Sequence, residues 1–320
     1  MLIVQKFGGS SLRDPERLRH VAELVRKAHE TAELVVVVSA MGGTTDSLTG
    51  RAREMNETPP PRELDALVTT GEQQAAALLV MTMERLGLPA VSLTGWQAGI
   101  LTDTHYGDGE IRVIEPGRIR RELSRGRVPV VTGFQGVCAA GDVTSLGRGG
   151  SDTTAVALAA ALEADACDIY TDVKGIYTAD PRVIPEARLL PEIDTRDMLA
   201  LSRAGSKVLH AKSVELALAN DVPLRLLSSF EEGPGSTVKL LPEAKRPTLA
   251  GLTGRAETGR ITLAGRGADA AALSEAVLLL SKAGIAVLGG ALGENAMTLT
   301  VKKEDHPAAM QILHRGMILN

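Results

Sequence analysis

Leu34-Val35-Val36-Val37-Val38 is a run of five apolar residues with no polar position on either face. A strand with one wet face alternates, whereas a strand covered on both sides does not; the second kind belongs to parallel sheets with helices on each face. The run passes directly into a loop of small residues, Ser39-Ala40-Met41-Gly42-Gly43-Thr44-Thr45-Asp46. The same order recurs along the chain. Leu2 to Phe7 reads as a buried strand ending in Gly8-Gly9-Ser10-Ser11, and Val128 to Thr132 as another ending in Gly133-Phe134-Gln135-Gly136. Ala166 to Thr171 is a third, followed by a loop from Asp172 to Arg182. Helical segments lie between them. Asp14-Pro15-Glu16 starts one with a cap, a first-position proline and an early acid. Arg62 to Leu86 is largely helical, interrupted around Thr69-Thr70-Gly71 and stopped at Gly87. Helices near 194–203 and 206–219 and a strand at Leu224 to Leu227 complete the pattern. The expectation is an α/β sandwich with a mostly parallel sheet, in which ligands bind beyond the carboxyl ends of the strands. Lys6, Ser39, Gly133, Arg148 and Asp172 all fall in loops suited to that edge.

One of these loops is built for an anion. In Thr144 to Thr154, Gly147, Gly149 and Gly150 run into Ser151-Asp152-Thr153-Thr154 and then into an alanine-rich helix former. The glycines let backbone approach an anion, Ser151 is placed to cap, and the free N–H groups of the first helical turn point into the loop. Arg148 and Asp152 add a guanidinium and a carboxylate to the same turn, as a site handling a charged substrate and a transferring phosphoryl group requires.

Composition narrows the chemistry further. The 320 residues, 44% hydrophobic and 23% charged, can bury a large core. A net charge of −4 without basic blocks gives no footprint for nucleic acid, and 2% aromatic residues offer few stacking platforms. Two cysteines, Cys138 and Cys167, make neither a disulfide framework nor a metal set, and the six histidines are scattered. No signal-peptide pattern or membrane-length apolar run is evident, so a cytoplasmic protein without a membrane partner is expected.

The stretch Phe230 to Arg246, rich in proline and glycine, reads as a linker. Beyond it a strand (Arg260 to Ala264), a helix (Ala270 to Ala283), two strands (Ile285 to Leu288 and Met297 to Val301) and a helix (His306 to His314) give a ferredoxin-like order. Gly265-Arg266-Gly267-Ala268-Asp269-Ala270 imitates a dinucleotide fingerprint, but no acid for a ribose follows on the next strand.

Taken together, Lys6-Phe7-Gly8-Gly9-Ser10-Ser11, the Ser39 to Asp46 loop, Gly147 to Thr154 and Tyr177-Thr178-Ala179-Asp180-Pro181-Arg182 resemble, in this order, the aspartate kinases of the amino-acid kinase superfamily. The resemblance implies an amino-acid kinase catalytic domain over 1–230, a linker over 231–248 and a single ACT domain over 249–320. It implies transfer of the γ-phosphoryl group of ATP, bound with Mg2+, to the side-chain carboxylate of L-aspartate, the first step toward lysine, threonine and methionine. Lys6 and Asp152 take the catalytic roles by resemblance, Lys6 on the transferring phosphate and Asp152 orienting it. Gly8, Gly9 and Ser10 supply further donors to ATP. Ser39, Thr45, Glu72, Arg148, Gly149 and Ser151 match the aspartate side, where Arg148 suits a carboxylate and Glu72 the α-ammonium. Without the resemblance, Glu72 would be read as a solvated helix residue. Thr171, Asp172, Tyr177, Asp180, Arg182 and Lys207 match the nucleotide side, with Lys207 expected at a helix N-terminus. No protein ligand for a metal is assigned.

The tail departs from the family pattern. Members usually carry two ACT modules, this sequence has room for one, and Gly267-Ala268-Asp269-Ala270 stands where a Pro-Gly helix entry is usual. A lone module can form an ACT interface only with another subunit, so a homo-oligomer through the ACT region is expected, with weak feedback by lysine or threonine. Sibling kinases acting on glutamate, N-acetylglutamate or UMP share the glycine loops, and a non-catalytic sensor of the same fold would be marked by loss of Lys6 or Asp152, both of which are present.

Overall fold

The computed structural model describes residues 1–319, and the chain divides into two compact units. The first comprises Met1–Lys174 and Val222–Gly233, the second Gly175–Asp221 and the residues from Pro234 on.

In the first unit six strands run parallel, in the order Leu224–Ser228, Ala166–Thr171, Leu2–Phe7, Glu33–Val38, Val128–Thr132 and Ala90–Leu93. The uninterrupted apolar runs occupy the centre, where Leu34 to Val38 are wholly buried. Helices Pro15–His29 and Thr70–Arg85 cover one face, and Leu18, Val21, Val25, Ala75, Leu79 and Met83 pack there on Phe7, Leu34, Val36 and Val38. Helix Gly150–Leu162 lies on the opposite face, against Leu2–Phe7 and its neighbours. Asp14 caps its helix by accepting the Arg17 N–H at 3.0 Å, with Pro15 in the first turn, as expected. The long helical segment breaks at Thr69 into Pro61–Val68 and Thr70–Arg85.

Several elements of this unit were not foreseen. Helix Thr44–Met55 begins inside the small-residue loop, strand Ala90–Leu93 and helix Gly117–Leu123 follow further on, and a second sheet joins Ile111–Ile114, Ile100–Thr102, Gln135–Val137 and Val143–Ser145. These strands of three or four residues are too short to show a period against their turn-rich flanks.

In the second unit Glu192–Asp194 and Ser236–Lys239 pair in parallel, so the stretch read as a linker contains a strand. Its proline and glycine content hides a short element held by Ser236, whose hydroxyl accepts the Ile176 N–H at 2.8 Å and donates to the Leu190 carbonyl at 2.6 Å. The C-terminal strands form an antiparallel sheet, Gly251–Arg255, Arg260–Ala264, Ala296–Val301 and Val287–Gly293, with helices Ala270–Lys282 and His306–Leu313. The glycine pattern at 265–270 is a helix entry in which Asp269 accepts the Ala272 N–H at 2.9 Å.

Candidate active site

The strands of the first unit end level. Phe7 stands beside Val38 and Tyr170, and Val38 beside Thr132, so the loops that follow emerge at one edge. Backbone hydrogen bonds then join loop to loop: Ser39 N–H to Phe7 O at 3.1 Å, Gly42 N–H to Gly9 O at 3.0 Å and Gly133 N–H to Val38 O at 2.9 Å. Gly9 allows this closeness. A Cβ there would stand 2.7 Å from the Ala40 carbonyl oxygen, inside any tolerable contact.

Period two along Leu2–Phe7 puts Val4 and Lys6 on one face of the sheet. There the Lys6 ammonium meets the Asp152 carboxylate at 2.6 Å, with both side chains largely buried (12% and 15% exposed). Asp152 lies in the first turn of helix Gly150–Leu162, whose N–H groups have no intrahelical acceptor and whose dipole favours an anion. A cation and a helix N-terminus thus converge at the edge where Gly8, Gly9 and Ser10 turn. The expected capping by Ser151 does not occur. Gly149, left-handed at φ 72°, is the cap residue without a side-chain bond, and Ser151 is buried within the first turn. A Cβ at Gly133 would lie 2.8 Å from the Ser151 Cβ, so the space around Ser151 is taken by packing.

Glu72 is not a solvated helix residue. It is 3% exposed; Oε1 accepts the Ala40 N–H at 3.0 Å, while Oε2 is buried with no partner among the described residues. Burial pushes its carboxyl up to about 7, and the Ala40 N–H offsets only part of that. An unmatched, desolvated carboxylate oxygen one loop away from Lys6 is a seat for a cationic group. Ser39 is half-buried, as is Thr45, which lies in the first turn of its helix. Arg148 is exposed on its turn and makes no ion pair among the described residues.

The nucleotide-side candidates divide between the units. Thr171 ends its strand in the first and donates to Asp172 Oδ1 at 3.2 Å, with Asp172 exposed. In the second, Asp180 accepts from Arg182 Nε at 3.0 Å and Nη2 at 2.7 Å. Those bonds hold the Asp180 carboxyl below the usual range, with a smaller pull from Lys207. Tyr177 is half-buried beside a bridge to Leu189. Lys207 does not begin a helix: the next one starts at Ala211, after His210 as cap, so no helix dipole opposes its charge.

Sequence reasoning passed over Asp65. It sits in helix Pro61–Val68, 2% exposed, and accepts from the backbone of Gly107 and Ser145 and from the Ser145 hydroxyl. Nothing local marks it, because its partners lie 42 and 80 residues away.

Residues 1–228 match the model of the amino acid kinase family. The chain belongs to that family. Among curated relatives, an aspartate kinase of Stutzerimonas stutzeri is 45% identical over 320 residues, covering 98% of this chain and 78% of its own, which places the chain with the family's aspartokinases. An aspartate kinase of Pseudomonas putida is 51% identical over 267 residues, or 82% of this chain; the match spans only 65% of that relative's length. Among solved structures, E. coli aspartokinase III in complex with aspartate and ADP superposes with a TM-score of 0.86 at 21% identity, over 99% of this chain and 100% of that one, a likeness of fold. The aspartate kinase of Synechocystis gives 0.69 at 31% identity, over 98% of this chain and 69% of its own.

Proposed function

We propose that this chain transfers the γ-phosphoryl group of ATP to the side-chain carboxylate of L-aspartate, giving 4-phospho-L-aspartate and ADP. The observation that carries the reading is the buried, unmatched Glu72 oxygen at the sheet edge that also holds the Lys6–Asp152 pair. One feature suits an acceptor's ammonium, the other a transferring phosphate.

The acceptor carboxylate is already ionised, so no general base is needed; the barrier is the approach of two anions, and catalysis is positioning plus charge neutralisation. Lys6, fixed by Asp152, supports the γ-phosphate as charge moves onto the bridging oxygen, and Gly8, Gly9 and Ser10 contribute donors. Glu72 takes the α-ammonium, Arg148 and Thr45 the α-carboxylate, and Ser39, Gly149 and Ser151 border the acceptor. Thr171, Asp172, Tyr177, Asp180, Arg182 and Lys207 hold the nucleotide. Among the described residues no three His, Cys, Asp or Glu side chains gather as a metal cluster. Mg2+ would come bound to the triphosphate, where it would neutralise charge on the transferring phosphoryl group.

The reading extends to organisation. Residues 1–230 are the kinase domain, 231–248 the connection and 249–320 a single ACT domain through which copies associate. Exposed Leu288 and Leu292 on the edge strand Val287–Gly293 support such an association. Among the described residues no helix is long and apolar enough to cross a membrane, which fits a cytoplasmic enzyme.

The test is ADP release with aspartate, glutamate, N-acetylglutamate and UMP side by side, the product trapped as a hydroxamate. Aspartate alone should react well. N-acetylglutamate is the informative control, because it has no ammonium for Glu72; efficient turnover of it, or of UMP, would defeat the reading.

A further inference from the structure

Asp65 is an acid with no role in the chemistry above, yet its contacts are unusually complete. Oδ2 accepts the Gly107 and Ser145 N–H groups, each at 2.9 Å, and Oδ1 accepts the Ser145 hydroxyl at 2.7 Å. Gly107 lies in a turn, and Ser145 at the strand end that leads into the Arg148 turn. Ser145 ends strand Val143–Ser145 three positions before Arg148, and its carbonyl accepts the Gly109 N–H at 2.7 Å. Gly147, left-handed at φ 68°, is pressed so closely on the Asp108 carboxylate that a Cβ there would collide with it. The turn carrying Arg148 is thus held against the 107–109 turn, and both hang on one carboxylate.

That carboxylate is joined to Glu72 by a stiff connection. Helix Pro61–Val68 passes through Thr69 directly into helix Thr70–Arg85, on whose first turn Glu72 lies. The Thr69 carbonyl accepts the Gln135 side-chain N–H at 2.9 Å, a second tie to the same small sheet, and Arg62 adds a bond to Asp142 at 2.6 Å. The helix pair, tied to the small sheet at both Thr69 and Arg62, thus carries Glu72 on one helix and, on the other, the Asp65 carboxylate that anchors the Arg148 turn.

We propose that Asp65 is a positioning residue that sets the separation between Glu72 and Arg148, and so fits the site to the ammonium and carboxylate carried by one α-carbon. The inference rests on the aspartate-kinase reading. Asp65 touches neither substrate. Its removal moves the Arg148 turn relative to Glu72; Asp152 follows that turn in sequence, but helix Gly150–Leu162 packs along strand Leu2–Phe7, which holds the Lys6–Asp152 pair in place.

Three variants test this in the full chain by steady-state kinetics with aspartate and Mg-ATP. Asp65→Leu keeps the bulk but leaves the Gly107 and Ser145 N–H groups without an acceptor; aspartate KM should rise roughly 10- to 100-fold, the scale of an ångström-sized misplacement. ATP KM, and kcat extrapolated to saturating aspartate, should stay within about threefold, as for loss of uniform substrate binding. Asp65→Asn can still accept both N–H groups and donate to Ser145 Oγ, so it should restore aspartate KM to within about threefold of the parent. A purely structural role would lower the active fraction, which reduces kcat and leaves both KM values unchanged. That result, or a parallel rise in both KM values, would overturn the proposal. Should Asp65→Leu fail to fold, Asp65→Asn combined with Ser145→Ala strips one oxygen position only; a severalfold rise confined to aspartate KM supports the proposal and an unchanged KM refutes it. If the parent chain itself does not phosphorylate aspartate, the functional reading has failed, and that is seen before any variant is made.

Discussion

Aspartate affinity should depend on pH through Glu72. Burial raises its carboxyl from 4.5 to about 7, so the ionised form costs the folded protein about 3 kcal/mol relative to a solvated glutamate. The sign follows from proton binding: between those values the folded state holds a proton that the unfolded state has released, so the contribution of Glu72 to stability is most favourable below pH 4.5 and falls until about pH 7. An α-ammonium can pair only with the ionised form. Its apparent affinity scales with the ionised fraction, roughly one tenth at pH 6, one half at pH 7 and nearly all at pH 8. Aspartate KM at saturating Mg-ATP should therefore fall about fivefold from pH 6 to 7 and less than about twofold from 7 to 8. The substrate's own groups do not titrate in that window. Glu72→Gln keeps an acceptor for the Ala40 N–H and removes the titration, so its KM should be high and flat. Without substrate the same variant should gain up to about 3 kcal/mol at pH 8 by urea unfolding, a gain that shrinks as pH falls toward 4.5. A flat KM in the parent, or the same slope in Glu72→Gln, would show that this carboxylate is not the ammonium seat.

Lys6→Ala should lower kcat by roughly a hundredfold or more with the fold intact by circular dichroism, the usual loss for one electrostatic contact to a transition state; normal turnover would remove Lys6 from the mechanism. Gly9→Ala places a Cβ 2.7 Å from the Ala40 carbonyl, where backbone must yield. About 1–3 kcal/mol of stability should be lost on urea unfolding, and a neutral result would show that the loop junction is looser than drawn. Glutamates replacing both Leu288 and Leu292 should shift sedimentation toward smaller species while leaving kcat near that of the parent, and a parent that is monomeric with substrates present would refute assembly through that edge. Initial rates at sub-saturating aspartate should respond little to lysine or threonine up to millimolar levels, and strong inhibition by either would mean that one ACT module suffices for control.

What could be read from the residue order and what could not divide along a physical line. Leu34 to Val38 declares a doubly covered strand because burial on both faces is written into consecutive residues, and the glycines at 8, 9, 147, 149 and 150 declare close backbone approaches because few other residues tolerate them. Both signals are local. Lys6 and Asp152 could be named from the loops they border, but their pairing at 2.6 Å is a product of strand register and helix placement, with nearly the whole first unit between them in sequence. Glu72 fails the local reading for the same reason: the amide that engages it and the protein that desolvates it come from elsewhere, so its own helix looks ordinary. Asp65 is the extreme case. A carboxylate satisfied by Gly107 and Ser145 carries no period, cap or motif, and only the folded chain shows that three separated segments close on it. Ser151 and Lys207 show the opposite error, since the cap expected at the one and the helix entry expected at the other lie two and five residues from the real ones. At a helix N-terminus a shift of one position moves a side chain by about 100° around the axis, enough to turn a cap into a packed residue. Residue chemistry at this sheet edge is thus legible from composition and spacing, while the orientation of each group depends on contacts that arise only on folding.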